Sequence, residues 1–175
     1  MKYNILKKTC YILFSFVLVS SIVSCDQVES IPDENGIVVD EIDGGWWIIA
    51  LDPDGTTPAY GGDYQKIDIY NTSENDNTFW LDDHGSWMEL KAKATLDLEA
   101  LTFSSDVNTP ELYTDGTVTI TNGVITKDSY TTATGTVVDA IMFEAEFSWD
   151  PGTVYIFKGH QSTAKVDDLY PTYYE

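Results

Sequence analysis

A chain of 175 residues that sets 29 acidic side chains against nine lysines, with no arginine, carries a formal charge of −20. A polyanion of this kind is repelled by phosphate backbones and by anionic lipid surfaces, which argues against nucleic acid and against a peripheral basic membrane patch. Two cysteines, Cys10 and Cys25, are too few for a disulfide framework.

Lys2, Lys7 and Lys8 precede an almost unbroken apolar run from Cys10 to Val23, which is too short to span a bilayer and has the form of an export signal. Its end, Ile22-Val23-Ser24-Cys25, resembles the lipobox of bacterial lipoproteins. That resemblance implies that residues 1–24 are removed and that Cys25 is the lipidation site. Two or more acyl chains hold a protein stably at a membrane it does not span. The expected location is therefore the cell envelope, with the anchor in the outer membrane and the domain on its periplasmic or surface face. An exported domain without cross-links depends on core burial, and a chain of about 150 residues hides roughly 70% of its unfolded surface in one core.

Residues 25–43, with Pro32, Gly36 and seven acids, read as an acidic tether, in which Ile37–Val39 is expected as a short strand. The folded domain is expected over 44–175. It opens on Gly44-Gly45-Trp46-Trp47 and a bulky apolar run, a strand covered on both faces. The Gly-x-Trp start looks like that of lipocalins and other calycins. After the turn Asp52-Pro53-Asp54-Gly55, a strand over Tyr64–Asn71 puts Ile67 and Ile69 on one face. Thr78–Leu81 is a short strand. Trp87–Leu96 alternates, with Met88, Leu90, Ala92, Ala94 and Leu96 on one side. The pattern slips near Leu98–Leu101, which demands a turn or bulge before a strand starting at Leu101. Asp106–Asp115 is a loop. Asn122-Gly123 is the strongest short hairpin signal, and Ser129–Gly135 is a connector.

The stretch Val137–Gln161 reads as one long hairpin. Ile141, Phe143, Ala145, Phe147 and Trp149 recur at every second position, Asp150-Pro151-Gly152 supplies the reversal, and Thr153–Phe157 returns. No stretch after the signal has a 3.6-residue period. The fold class is all-β: an antiparallel meander of about eight or nine strands closed into a calycin- or lipocalin-like barrel, which removes exposed edges.

Several segments together resemble the lipid-binding putative hydrolase lipoproteins of Bacteroides-type bacteria, a calycin-like family. They are Gly45-Trp46-Trp47, Tyr70-Asn71-Thr72 with Trp80-Leu81-Asp82-Asp83, Leu101–Ser104, Asn122-Gly123, and Asp139–Phe143 through Gly159-His160 to Asp167-Asp168. The resemblance implies an apolar ligand and a hydrolase activity. One departure is that a Gly-His-Arg-x-Thr-Gly pattern is here Gly159-His160-Gln161-Ser162-Thr163-Ala164, without the arginine.

For hydrolysis the available groups are Ser86, Ser162, His84, His160, Asp82 and Asp83, but nothing resembles a Gly-x-Ser-x-Gly elbow. The expectation is a non-catalytic protein in which His160 is a strand-end residue bonded to backbone or carboxylate. Asp52-x-Asp54-Gly55 lacks the rest of a calcium loop and reads as a plain turn, and no metal or cofactor is expected. A barrel of eight strands has room for side chains or for one small molecule. The inward, ligand-lining set is expected to come from Trp46, Ile48, Trp80, Met88, Leu90, Phe143, Phe147, Tyr155 and Phe157, with Ala92, Ala94 and Ala145 leaving space. The partner is then a hydrophobic small molecule or lipid. The alternative is an accessory module that meets another envelope protein through the bulky run Leu169–Tyr174.

Overall fold

The computed structural model describes residues 36–170, so the signal, Cys25, most of the tether and residues 171–175 lie outside the described residues. The strands are β1 (Gly44–Leu51), β2 (Gln65–Asn71), β3 (Thr78–Asp82), β4 (Lys91–Asp97), β5 (Thr102–Ser104), β6 (Thr109–Pro110), β7 (Thr117–Thr131), β8 (Val137–Phe147) and β9 (Val154–Gln161). Among the described residues a single 3-10 turn, Val166–Asp168, is the one helical element. Every pairing is antiparallel. The order β5-β4-β3-β2-β1-β9-β8-β7 is closed by β5 pairing with β7, which makes an eight-stranded barrel with β6 as an extra strand on β7.

The two-residue period explains the wall. Along β8 Ile141, Phe143, Ala145 and Phe147 are buried while Glu144 and Glu146 face out, and β9 returns with Phe143 opposite Phe157 and Ala145 opposite Tyr155. Each fully buried aromatic or aliphatic side chain contributes about 1.5–3 kcal/mol, so the inward rows of β1, β4, β8 and β9 dominate the stability. Where β1 and β9 pair, Gly159 is required by closeness: a Cβ there would lie 1.9 Å from the Trp47 carbonyl oxygen.

The end of the barrel at which β1 begins is closed. Ile37–Val39, expected as a strand, is instead the start of a turn, with the Asp40 amide donating to the Ile37 carbonyl and the Ile42 amide to the Val39 carbonyl. That turn drives Val39 and Ile42 into the core, and Trp46 Nε1–H donates to the Ile42 carbonyl at 3.0 Å. The last residues of the acidic segment are thus built into the domain.

Asn122-Gly123 is not a hairpin turn. β7 runs through it from Thr117 to Thr131, with a register shift between Thr121 and Val124. Gly123 is there because of Phe103: a Cβ would come within 2.4 Å of that ring. The dipeptide marks a bulge where an aromatic side chain crosses bare backbone, a second use of glycine in strands. Of the expected connector Ser129–Gly135, the first three residues extend the same strand to Thr131, and the rest form the turn into β8, with the Gly135 amide donating to the Thr132 carbonyl.

Candidate functional site

The opposite end of the barrel carries the four connections over residues 52–64, 83–90, 105–116 and 148–153, and these enclose a cleft of about 640 Å³. Its lining includes Tyr60, Ser86, Trp87, Met88, Glu89, Asp115, Ser148 and Trp149. The 83–90 loop is held by one buried carboxylate. Asp83 accepts the amides of Gly85 (2.9 Å), Met88 (2.6 Å) and Leu90 (3.0 Å), which points Met88 and Leu90 into the core from irregular backbone. Burial pushes the Asp83 carboxyl above its usual range, against the pull of those amides. The expectation of a strand from Trp87 therefore fails at its start. β4 begins only at Lys91, because the amides of Met88 and Leu90 are committed to Asp83.

The rim opposite is aromatic. Tyr60 and Trp149, each about half exposed (50% and 48%), meet edge to face with ring centroids 6.0 Å apart. The Tyr60 and Tyr155 hydroxyls are 2.7 Å apart, and Tyr155 Oη–H donates to Asp150 at 2.5 Å. Burial together with Asp150 pushes the Tyr155 hydroxyl well above its usual range. From this rim the rings continue inward: Trp149 stacks on Phe147 (5.0 Å), Phe147 lies 6.3 Å from Phe157, and Phe157 stacks on Phe143 at 4.7 Å and meets Trp87 at 5.9 Å. Phe103 and Phe79 extend the series. The lumen is thus occupied by touching rings, and the open volume lies above them at the mouth.

Of the expected lining set, Trp46, Ile48, Met88, Leu90, Phe143, Phe147, Tyr155 and Phe157 are all in the core. Only Met88 borders the cleft directly, while Phe147, Tyr155 and Phe157 join it through Trp149, Tyr60 and Trp87. Trp46 sits at the closed end. Trp80 is set apart from all of them: it lies between the inward Phe79 and Leu81 and stands on the outer wall opposite Tyr70 and Lys93. There it belongs to a knot around Asp82, which accepts Lys91 Nζ (2.8 Å), the Tyr70 hydroxyl (2.5 Å), the Tyr113 hydroxyl (2.6 Å) and the His84 amide (2.8 Å). Burial opposes ionisation of Asp82, but Lys91 and the two tyrosines outweigh it and bring its pKa to about 2.

The groups considered for hydrolysis are dispersed. Ser86 Oγ donates to the Asp83 carbonyl and Ser162 Oγ to the Thr163 carbonyl. His84, largely exposed, donates through Nε2 to Asp68 at 2.7 Å. His160 is buried on the outer wall, where Nδ1–H donates to the Gln161 carbonyl and Nε2 accepts the Tyr170 hydroxyl at 3.1 Å, so its ring is bonded to backbone as the sequence suggests. Tyr170 also packs on Trp47 and stacks on Tyr64 at 4.3 Å, which folds the start of the bulky C-terminal run back on the domain. Asp54 accepts the amides of Thr56 and Thr57, as in a plain turn.

Tyr60 escapes sequence reasoning because it stands in a turn, outside any period, and Trp149 because the period that includes it runs one step past the end of β8 at Phe147, which leaves it half exposed in the turn. The available signal was a large ring beside turn residues, in Ala59-Tyr60-Gly61-Gly62 and Trp149-Asp150-Pro151-Gly152. The family model described as lipid-binding putative hydrolase matches residues 31–164. No curated protein matches the chain.

Proposed function

The chain belongs to the lipid-binding putative hydrolase family, and from that premise we propose an envelope lipoprotein, anchored through Cys25, that holds one hydrophobic or lipid-like molecule at the open end of its barrel. The observation that carries this reading is the four-loop cleft, where Tyr60, Trp87, Met88 and Trp149 offer apolar surface above a lumen filled with rings. An apolar chain laid against Met88 and Trp87 extends the ring series already packed beneath it. The volume suits one acyl chain or one small planar molecule. A binding role is favoured over hydrolysis because Ser86 and Ser162 commit their hydroxyl protons to backbone carbonyls. The accessory-module reading loses support where Tyr170 is covered by Trp47, Tyr64 and His160.

Native mass spectrometry of the full chain purified from its host tests the proposal. The expected result is an added mass that denaturation releases and that Trp149→Ala diminishes. Repeated absence of any adduct overturns the binding reading, and an adduct indifferent to Trp149→Ala overturns its placement. A peptide carrying acylated Cys25 at its N-terminus is the expected mark of the anchor, and a free thiol at that position counts against it.

A further inference from the structure

We infer that the open-end cleft selects amphiphiles whose headgroup is a cation, a protonated or quaternary amine, and turns away carboxylate and phosphate headgroups. The inference rests on the binding reading above and specifies its ligand. Three rings, Tyr60, Trp87 and Trp149, line the cleft, and two of them are about half exposed and set nearly perpendicular, at 84°. Ring faces carry negative charge density and attract ammonium groups. The ionisable residues among the cleft lining are Glu89 and Asp115 beside Tyr60, and lysine is absent from that lining. Asp150 adds a third carboxylate at the rim, held by Tyr155. The nearest lysines in sequence are engaged elsewhere: Lys91 Nζ is bound to Asp82 on the outer wall, and Lys158 Nζ donates to the Gly55 carbonyl.

The same chain shows what such a set of groups holds. On the outer wall Lys91 Nζ lies over Tyr70 (5.5 Å), Tyr113 (5.9 Å) and Trp80 (6.0 Å) while bonded to the Asp82 carboxylate. Three rings and a carboxylate there surround a cation that the protein itself supplies. The cleft has rings and carboxylates in the same combination, and its lining supplies no cation. The wider field points the same way. Nine lysines against 29 acids make the potential around the protein negative, and a concave mouth walled in part by Trp87, Met88 and Trp149 concentrates it. An anionic headgroup entering would lose hydration, find no counter-charge and face Glu89 and Asp115.

The test is a tryptophan-fluorescence titration of the full chain with three probes that share a twelve-carbon tail, each kept below its micelle range: dodecyltrimethylammonium, dodecyl maltoside and dodecyl sulfate. The ammonium probe is expected to bind at least about ten-fold tighter than the sulfate probe and tighter than the maltoside. The double substitution Glu89→Gln with Asp115→Asn is expected to weaken the ammonium probe about five-fold or more and to leave the maltoside within about two-fold. Equal binding of all three probes, or a preference for sulfate, overturns the inference and leaves the binding reading standing. Failure of all three to bind overturns both. A control pair on the distant wall, Asp97→Asn with Glu144→Gln, removes the same charge. If it weakens the ammonium probe as much as the cleft pair does, general surface charge is responsible and the inference falls.

Discussion

The imidazole of His160 lies face to face with the ring of Tyr130, centroids 4.0 Å apart and planes within 6°, on the outer wall of the barrel. Tyr64 and Tyr170 pack on the same imidazole, and Asp168 is the charged group that acts on it. Burial lowers the His160 pKa from its ordinary 6.5, against the opposing pull of the Gln161 carbonyl and Asp168. Since the unfolded chain then binds the proton more readily than the folded one, stability is full above about pH 6.5 and declines as pH falls toward the lowered folded value. Thermal melts of the wild type should show a falling midpoint over that window. His160→Phe keeps a ring but cannot titrate. It is expected to cost about 1–2 kcal/mol near neutral pH through two lost hydrogen bonds and to flatten the slope. A slope unchanged in that variant would refute the assignment.

Asp82 governs the acid side. With a folded pKa of about 2 against an ordinary 3.8, its contribution is complete above the ordinary value and is lost as pH falls through the lower one. Asp82→Asn leaves Lys91 without its ion partner and the Tyr70 and Tyr113 hydroxyls with a weaker acceptor. Lys91 retains some access to water, so the expected loss is about 2–3 kcal/mol, measured by urea unfolding near neutral pH.

Two glycines separate crowding from conformational freedom. Gly159→Ala drives a methyl group into the backbone of β1, with Ile48 Cα at 2.8 Å and the Trp47 oxygen closer still. Backbone on both sides cannot yield as a side chain does, and a loss of about 3 kcal/mol or more is expected, read as failure to accumulate folded protein. Gly152→Ala, where nothing lies within 4 Å but φ is +89°, should cost only about 1 kcal/mol. Equal tolerance of both substitutions would contradict the close approach of β1 and β9.

Phe157 is the hub of the ring series, touching Phe143, Phe147 and Trp87. Phe157→Ala is expected to cost about 3–5 kcal/mol by opening a void beneath the cleft. Where the variant still folds, added decane should raise its melting temperature more than that of the wild type, because the void lies under the mouth. Indifference to decane would indicate that the core has collapsed over the gap.

The strict alternation of β8 and β9 made the barrel legible, since every inward position from Ile141 to Phe147 on β8 is buried as the two-residue period demands. Alternation misled at Trp80, where size suggested the interior, because an outward indole stabilised by Lys91 and Tyr70 has the same spacing as an inward one. Turn chemistry misled at Asn122-Gly123, since the need for a bare glycine was set by Phe103, 20 positions away in the chain. The cleft itself was hidden. Its residues come from four separate turns, and only closure of the sheet brings Tyr60, Trp87 and Trp149 to one rim.

That closure depends on very little. β5 and β7 meet through two residue pairs, Thr102 with Val124 and Phe103 with Gly123, extended by the amide of Ile125 on the Leu101 carbonyl and that of Ser105 on the Ile120 carbonyl. Along every other seam of the cylinder the zipper is longer. A short clasp leaves the fewest paired residues to break there, so hydrogen exchange of the β5 and β7 amides is the place to look for the first opening of the wall.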